Sequence, residues 1–213
     1  MEFTFGAQPV VTQTDHELPP FVELTNEYIE VLNPENFNSR FFAAIYPTSH
    51  NQWAKFCVAT GRTLPSDSSF GRGNLPVANI RDIDVCHYLN WLTEVTKVGE
   101  MDANHEHADK TFAEYNVFLG LPELPYVIND DGVFLSDINV KGFRLPSVDE
   151  WEFLKADAED QIKEHGLDAV AVHPGNSGQR PATPGTKMPN KYGLYDMIGN
   201  FLEVCVEYVT KKD

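Results

Sequence analysis

Two carboxylates lie in and just after a short segment bounded by glycines. Asp196 is part of the stretch GLYDMIGN at 193–200, and Glu203 follows a few residues later. Gly193 and Gly199 suit tight turns, because glycine adopts backbone conformations that a β-carbon disfavours. Carboxylates placed in this way can ligate a hard cation, cap turns by hydrogen bonds or contact a substrate. The residues alone leave these alternatives open.

Thiols and imidazoles supply the other candidate chemistry. Cys57, Cys86 and Cys205 form an odd, widely spaced set, which argues against a disulfide framework and against CxxC metal sites, and favours a reducing compartment. We interpret the three as small buried apolar groups. His105 and His107 are two positions apart and point to different sides of a helix, so a solvated face is favoured over a shared ion.

Composition limits the classes of partner. A chain of 213 residues with 42% hydrophobic residues can form one large domain, or a domain with an arm. Its formal net charge of −16 repels nucleic acid and anionic membrane surfaces, so neither is expected as a partner. No signal peptide is visible, and no apolar run reaches the roughly 18 residues that span a bilayer. Synthesis in the cytoplasm without a signal peptide is therefore expected.

The order of apolar runs and loop-forming stretches along the chain predicts an α+β fold. Residues 1–40 are predicted to form an N-terminal arm with a first strand or hairpin at 21–33, and 41–46 a buried strand. The stretches 61–76 and 173–193 are rich in Gly, Ser and Pro and are predicted to be loops. Long irregular connections beside a few helices and short strands favour α+β over a doubly wound sheet.

Three helices carry clear signals. The first two are predicted at 48–61, capped by Thr48 or Ser49 and closed by Gly61, and at 82–97. The third begins at Ser147, which forms a capping box with Glu150. Trp151 and Leu154 are predicted to face inward in this helix. Arg144 and Glu152 are predicted to tie its start to neighbouring loops.

Four segments, in one order, resemble the formylglycine-generating enzyme family, the sulfatase-modifying factors. They are YPTSHNQWAKFCVATG, LPVANIRDIDVCHYLNWL, GFRLPSVDEWEFLKA and NSGQRPATPGTKMPNKYGLYDMIGNFLEV. The resemblance implies a loop-rich C-type-lectin-like fold over 41–213, with few short strands and about three helices. We interpret five residues of these motifs as scaffold: Arg144, Ser147, Glu150, Trp151 and Gly193.

The resemblance implies calcium sites as well. Family members hold calcium around the segment that corresponds to 193–203 here. Asp196 and Glu203 would supply carboxylates, and Gly199 and Phe201 backbone carbonyls. A second, weaker site would use Asn176 and Ser177, but its acidic partners have no match in this sequence.

This sequence departs from the family pattern near its end. The Val-Trp-Glu-Trp motif is replaced by FLEV at 201–204, which keeps the acid and loses both tryptophans. The later family segment with the copper-binding cysteine pair has no counterpart before the last residues, CVEYVTKKD. We therefore expect a domain truncated at its C-terminal end, with no bound copper.

These features together predict a non-catalytic structural or binding protein. Relatives of this fold occur on bacteriophages, so a virion surface component (decoration, collar or tail-associated) is expected. Its partners would be other protein subunits, reached through the N-terminal arm. Two alternatives stay open: a degenerate copper-dependent cysteine oxidase or related oxidoreductase, and a calcium-stabilised carbohydrate-binding module.

Overall fold

The fold alternates short helices and strands with long connections. The computed structural model describes residues 28–31, 41–95, 114, 116–117, 123–129, 132–135 and 140–206. The elements, in chain order, are β1 (Tyr28–Val31), β2 (Phe41–Ala44), α1 (His50–Thr60), α2 (Asp82–Val95), β3 (Tyr126–Asn129), β4 (Gly132–Leu135), α3 (Val148–Leu154), α4 (Ala158–His165), α5 (Leu167–Val170) and α6 (Pro174–Ser177). The α+β, loop-rich prediction is confirmed, although this part of the chain has more helices than the three predicted.

The strands form two antiparallel pairs. β1 pairs with β2, with Tyr28 opposite Ala44, and β3 pairs with β4, with Tyr126 opposite Leu135. The strand predicted at 41–46 is therefore present as β2, and part of the strand or hairpin predicted at 21–33 is present as β1. The rest of the predicted arm, at 1–27 and 32–40, lies outside the described residues, as do His105 and His107.

Helix α1 begins and ends where its sequence signals predict. The Ser49 hydroxyl accepts from the Gln52 backbone N–H at 3.2 Å, and the Gln52 side chain accepts from the Ser49 N–H at 2.8 Å. Gly61 follows the last turn in the left-handed conformation, at φ 69°, and its N–H bonds to the Cys57 carbonyl. Both ends of the helix thus satisfy backbone groups that would otherwise have no partner.

Aromatic side chains from α1 and α2 form the main core. Trp53 stacks on Tyr88 with ring centroids 4.9 Å apart, and Phe56 meets both rings edge-on. Cys57 and Cys86 are buried in the same core, as predicted for apolar groups. This core fixes the position of α2, against which the later segments pack.

The segment before α3 is tied to that core by its backbone. The Phe143 N–H donates to the Thr93 hydroxyl on α2 at 2.9 Å, and the Leu145 N–H donates to the Tyr126 hydroxyl on β3 at 2.9 Å. These buried contacts place the start of α3.

At the start of α3, the predicted capping box is present and an unpredicted ion pair lies beside it. Ser147 and Glu150 cap the helix reciprocally. Arg144 donates to both carboxylate oxygens of Glu150, at 2.7 and 2.8 Å, with both side chains almost fully buried. The prediction that Arg144 and Glu152 tie the helix start to nearby loops was wrong for Glu152, which is exposed and pairs with Lys155 at 3.3 Å. Glu150 is the third helical residue and points back to the N-cap, whereas Glu152 points to solvent.

Candidate functional site

The GLYDMIGN segment is held by turns and by contacts to residues much earlier in the chain. Gly193 and Gly199 both have φ of 81°, and Asp196 and Asn200 are also left-handed, at 59° and 57°. Gly199 bridges Val172, and a β-carbon at Gly199 would collide with the Val172 carbonyl oxygen. The Asn200 N–H donates to that same oxygen at 2.8 Å. The turns predicted at the two glycines are thus confirmed.

Asp196 is buried by this folding of the segment. Its Oδ2 accepts from the Gly185 N–H at 2.9 Å, whereas Oδ1 has no hydrogen-bond partner among the described residues. Burial raises the pKa of Asp196, and the hydrogen bond from Gly185 and the nearby Asn200 amide oppose that rise. A buried carboxylate oxygen without a partner carries a desolvation cost, which a bound cation would offset.

Glu203 faces the indole of Trp151. The Trp151 Nε1–H donates to Glu203 Oε2 at 2.6 Å. Burial raises the pKa of Glu203 to about 7; the indole bond works against this rise and the nearby charge of Asp196 adds to it. Trp151 is half-buried here, less deeply than Leu154, with which it was predicted to face inward. Leu154 is buried as predicted.

These groups share an open cavity of about 1100 Å³. Helices α3 and α4 form one wall, with Trp151 and Ile162, and the loops around 172–181 form another. The segment 196–203, together with Cys205, closes the cavity on the remaining side. Cavities of this size suit a small molecule or a peptide side chain better than a single ion.

The four residues predicted to bind calcium all lie on one wall of this cavity: Asp196, Gly199, Phe201 and Glu203. The carboxylates of Asp196 and Glu203 are close enough to influence each other electrostatically. The described residues contain no cluster of three or more His, Cys, Asp or Glu side chains that could hold a metal. Calcium here would therefore need backbone carbonyls and water beside the two carboxylates. The donor types fit calcium, and the site stays a prediction.

The weaker calcium site falls at helix α6, where the side chain of Asn176 is already engaged. Its Oδ1 accepts from the His173 N–H at 3.0 Å, and its Nδ2 donates to the Asp168 carboxylate and the Ala171 carbonyl. His173 Nδ1 accepts from the Gly175 N–H, so the Nε2–H is the atom that meets Asp168, at 2.7 Å. Asn176 closes this loop, and calcium at Asn176 and Ser177 stays a prediction.

The three thiols are divided between two regions. Cys57 and Cys86 belong to the α1–α2 core, and Cys205 is half-buried at the cavity. Burial raises the pKa of the Cys86 thiol to about 12 and that of Cys205 to about 11, and it also raises the pKa of Cys57. At neutral pH all three are therefore protonated thiols when no metal is bound.

Comparison with known proteins assigns the family. A sequence model described as the sulfatase-modifying factor enzyme 1-like domain matches residues 6–213. The chain belongs to this family. The loop-rich α+β architecture is thus that of the sulfatase-modifying factor scaffold, as the four motifs predicted. No curated protein sequence matches the chain.

A solved structure of a Treponema denticola protein, variable protein 1, is similar to this chain. The two are 20% identical, with 86% of this chain and 72% of that chain covered, and a TM-score of 0.45.

None of the helices within the described ranges is both long enough and apolar enough to cross a membrane.

Two site residues were missed or misassigned at the level of sequence. Trp151 was placed in the scaffold, although its indole contacts Glu203 at the cavity. Lys155 was not singled out, yet its ammonium lies 4.4 Å from the centre of the Trp151 ring. The i, i+4 spacing of Trp151 and Lys155 is the signal that could have indicated this contact.

Proposed function

We propose that this chain is a non-catalytic binding or structural protein that uses the sulfatase-modifying factor scaffold to present the cavity beside Trp151 and Glu203. The observation that carries the proposal is the distribution of the thiols. Copper-dependent cysteine oxidation needs two thiolates at one site. Cys205 is at the cavity, whereas Cys57 and Cys86 are buried in the α1–α2 core.

The test is an attempt to detect the family reaction. The purified full chain is incubated with copper(I), oxygen and a Cys-x-Pro-x-Arg peptide, and the peptide is analysed by mass spectrometry. We expect no conversion of cysteine to formylglycine, while an active family enzyme assayed in parallel converts it. Conversion by the wild-type chain that is lost in Cys205→Ser would overturn the proposal.

The specific setting that we propose is a bacteriophage virion, with the chain as a surface subunit. Support comes from the phage relatives of this fold and from the acidic charge of −16, which suits a partner with a basic face. We expect capsid and tail genes beside the coding sequence. We also expect to find the chain itself in purified virions. A neighbourhood of metabolic genes would argue against this setting but would leave the non-catalytic assignment in place.

A further inference from the structure

The segment that closes the cavity, Phe201–Cys205, alternates in exposure. Leu202 is fully exposed, at 100% of its reference area, and Val204 is also exposed. Phe201, Glu203 and Cys205 are half-buried. Such alternation is typical of an extended strand with one face on the protein and one face open.

The backbone of this segment is anchored at both ends, and within the described residues it is unpaired between them. Before it, Asn200 donates to Val172; after it, Val206 donates to Pro146 and accepts from Val148. Between these anchors, none of the described residues forms a backbone–backbone hydrogen bond with 201–205. An unpaired, extended edge is the feature to which a partner strand adds.

The chemistry beside this edge favours a cation. Four carboxylates line the cavity against two side-chain cations, Lys155 and Arg180. Lys155 pairs with Glu152, and Arg180 bonds to the carbonyls of Ser69 and Phe70. Within the described part of the chain, the remaining carboxylates, Glu159, Asp196 and Glu203, have no ion pair. The ammonium of Lys155 already lies over the Trp151 ring, so the attraction for an incoming cation comes from these carboxylates.

We propose that the edge Phe201–Cys205 and the adjoining cavity bind an extended segment of a partner protein, in which a lysine or arginine alternates with aliphatic residues. Side chains at paired positions of adjacent strands share a face. A basic residue opposite Glu203 therefore enters the cavity beside Trp151, and aliphatic residues opposite Leu202 and Val204 cover those side chains. The proposal rests on the proposed binding function and names its ligand class.

A second copy of this chain is a poorer occupant. The chain carries a net charge of −16, and the site itself is acidic, so two copies repel each other there. A basic segment gains from the same charge distribution.

The test uses short synthetic peptides and the full chain. One peptide alternates valine with lysine, a second alternates valine with glutamate, and a third is the lysine peptide with proline at its centre. Affinity is measured by calorimetry at physiological salt, and amide hydrogen exchange is followed along the chain. We expect the lysine peptide to bind and to slow exchange at Leu202–Cys205, and the other two to bind at least about tenfold more weakly.

Matched variants separate a specific site from general attraction to an acidic protein. Leu202→Ser and Glu203→Gln should each weaken the lysine peptide severalfold, whereas Glu164→Gln, on exposed helix α4, should not. Leu202 is fully exposed and glutamine can keep the indole bond, so both variants should fold, which a melting curve verifies. The proposal would be overturned if all variants bound the lysine peptide equally. It would also be overturned if the peptide slowed amide hydrogen exchange elsewhere in the chain and not at Leu202–Cys205.

Two outcomes distinguish this inference from the function on which it rests. A dimer that Leu202→Ser dissociates would show that a second copy occupies the edge, and would overturn the inference alone. No peptide binding together with no formylglycine formation would likewise reject this site and leave the non-catalytic assignment standing.

Discussion

At the scale of single residues, Glu150 combines two structural roles. It closes the capping box with Ser147 and receives both guanidinium N–H groups of Arg144, in a place with almost no solvent contact. Burial acts to raise the pKa of Glu150, but the Arg144 bonds and the Ser147 N–H outweigh it and hold that pKa below its ordinary value. A buried pair of this kind is costly to break from one side.

Glu150→Gln should therefore destabilise the protein strongly. Glutamine can still cap the helix but leaves the Arg144 charge buried without its partner, so we expect a loss of about 3–5 kcal/mol in the free energy of unfolding. Glu152→Gln, two positions along the same helix and exposed, should cost less than about 1 kcal/mol. Urea unfolding measures both. Similar midpoints for the two variants would contradict the importance of the buried pair.

The raised pKa of Glu203 predicts how the free energy of unfolding depends on pH. The sign of this dependence is opposite to that of a carboxylate held in an ion pair. Its folded-state pKa is raised to about 7 from 4.5, so between these values the folded protein binds more protons than the unfolded chain. The free energy of unfolding should then fall as pH rises through this window and level off above it. Melting in the presence of a chelator should show this slope in wild type and in Glu159→Gln, and a flatter one in Glu203→Gln. If the slope of stability against pH were unchanged in Glu203→Gln, other titratable groups would be its cause.

Calcium should stabilise the protein through Asp196 and Glu203. If one ion binds the folded state alone, calcium at 100 times its dissociation constant adds about 2.7 kcal/mol. Melting temperature with calcium and with a chelator tests this, and Asp196→Asn should abolish the difference while Glu159→Gln keeps it. An equal melting temperature in both conditions would mean that the segment holds itself by hydrogen bonds alone.

At the scale of elements, the contact between Gly199 and Val172 decides how the cavity wall is built. The two residues form a parallel bridge, and the bonded Asn200 N–H fixes the approach. Gly61, at φ 69° and ψ 21°, also has a left-handed backbone but has open space where its β-carbon would lie. Alanine substitutions at the two glycines therefore separate the cost of backbone strain from the cost of a steric collision.

Gly61→Ala should cost only the strain of a left-handed alanine, about 1–2 kcal/mol. Gly199→Ala adds a collision with a backbone oxygen and should cost clearly more, and it should also disturb the cavity. Thermal unfolding gives the difference in stability, and amide exchange of Asn200 reports the bridge. Equal costs would show that Val172 moves away without penalty.

Elements with local signals were predictable from sequence, and those set by distant contacts were not. Helix α1 was located by the predicted cap at Thr48 or Ser49 and by Gly61, and the start of α3 by the capping box at Ser147. Helices α5 and α6 have four residues each, too few for a helical period to appear. The role of Glu152 was predicted wrongly because sequence spacing does not give side-chain direction. The cavity itself joins α3 to residues about 50 positions away, which no local pattern encodes.

At the scale of the whole molecule, the excess of negative charge opposes folding. Like charges repel more in the folded protein than in the expanded chain, and dissolved salt screens this repulsion. The buried Arg144–Glu150 pair is protected from screening, because salt acts mainly between exposed charges.

Adding sodium chloride at neutral pH should thus raise the free energy of unfolding. The increase should be similar with choline chloride, since screening depends on ionic strength and not on the identity of the cation. Urea titrations at low and physiological salt measure it. A decrease with salt would mean that attractive surface pairs outweigh the repulsion.

The surroundings of Trp151 give the protein an optical property of its own. Of the three tryptophans in the sequence, Trp53 is stacked on Tyr88 in the main core and Trp91 packs against the same core. Trp151 instead has a carboxylate at its indole nitrogen and an ammonium over its ring. Charges so placed shift the emission energy of an indole. Fluorescence from this one side chain therefore distinguishes an empty cavity wall from a covered one, while the other two indoles report whether the core is intact.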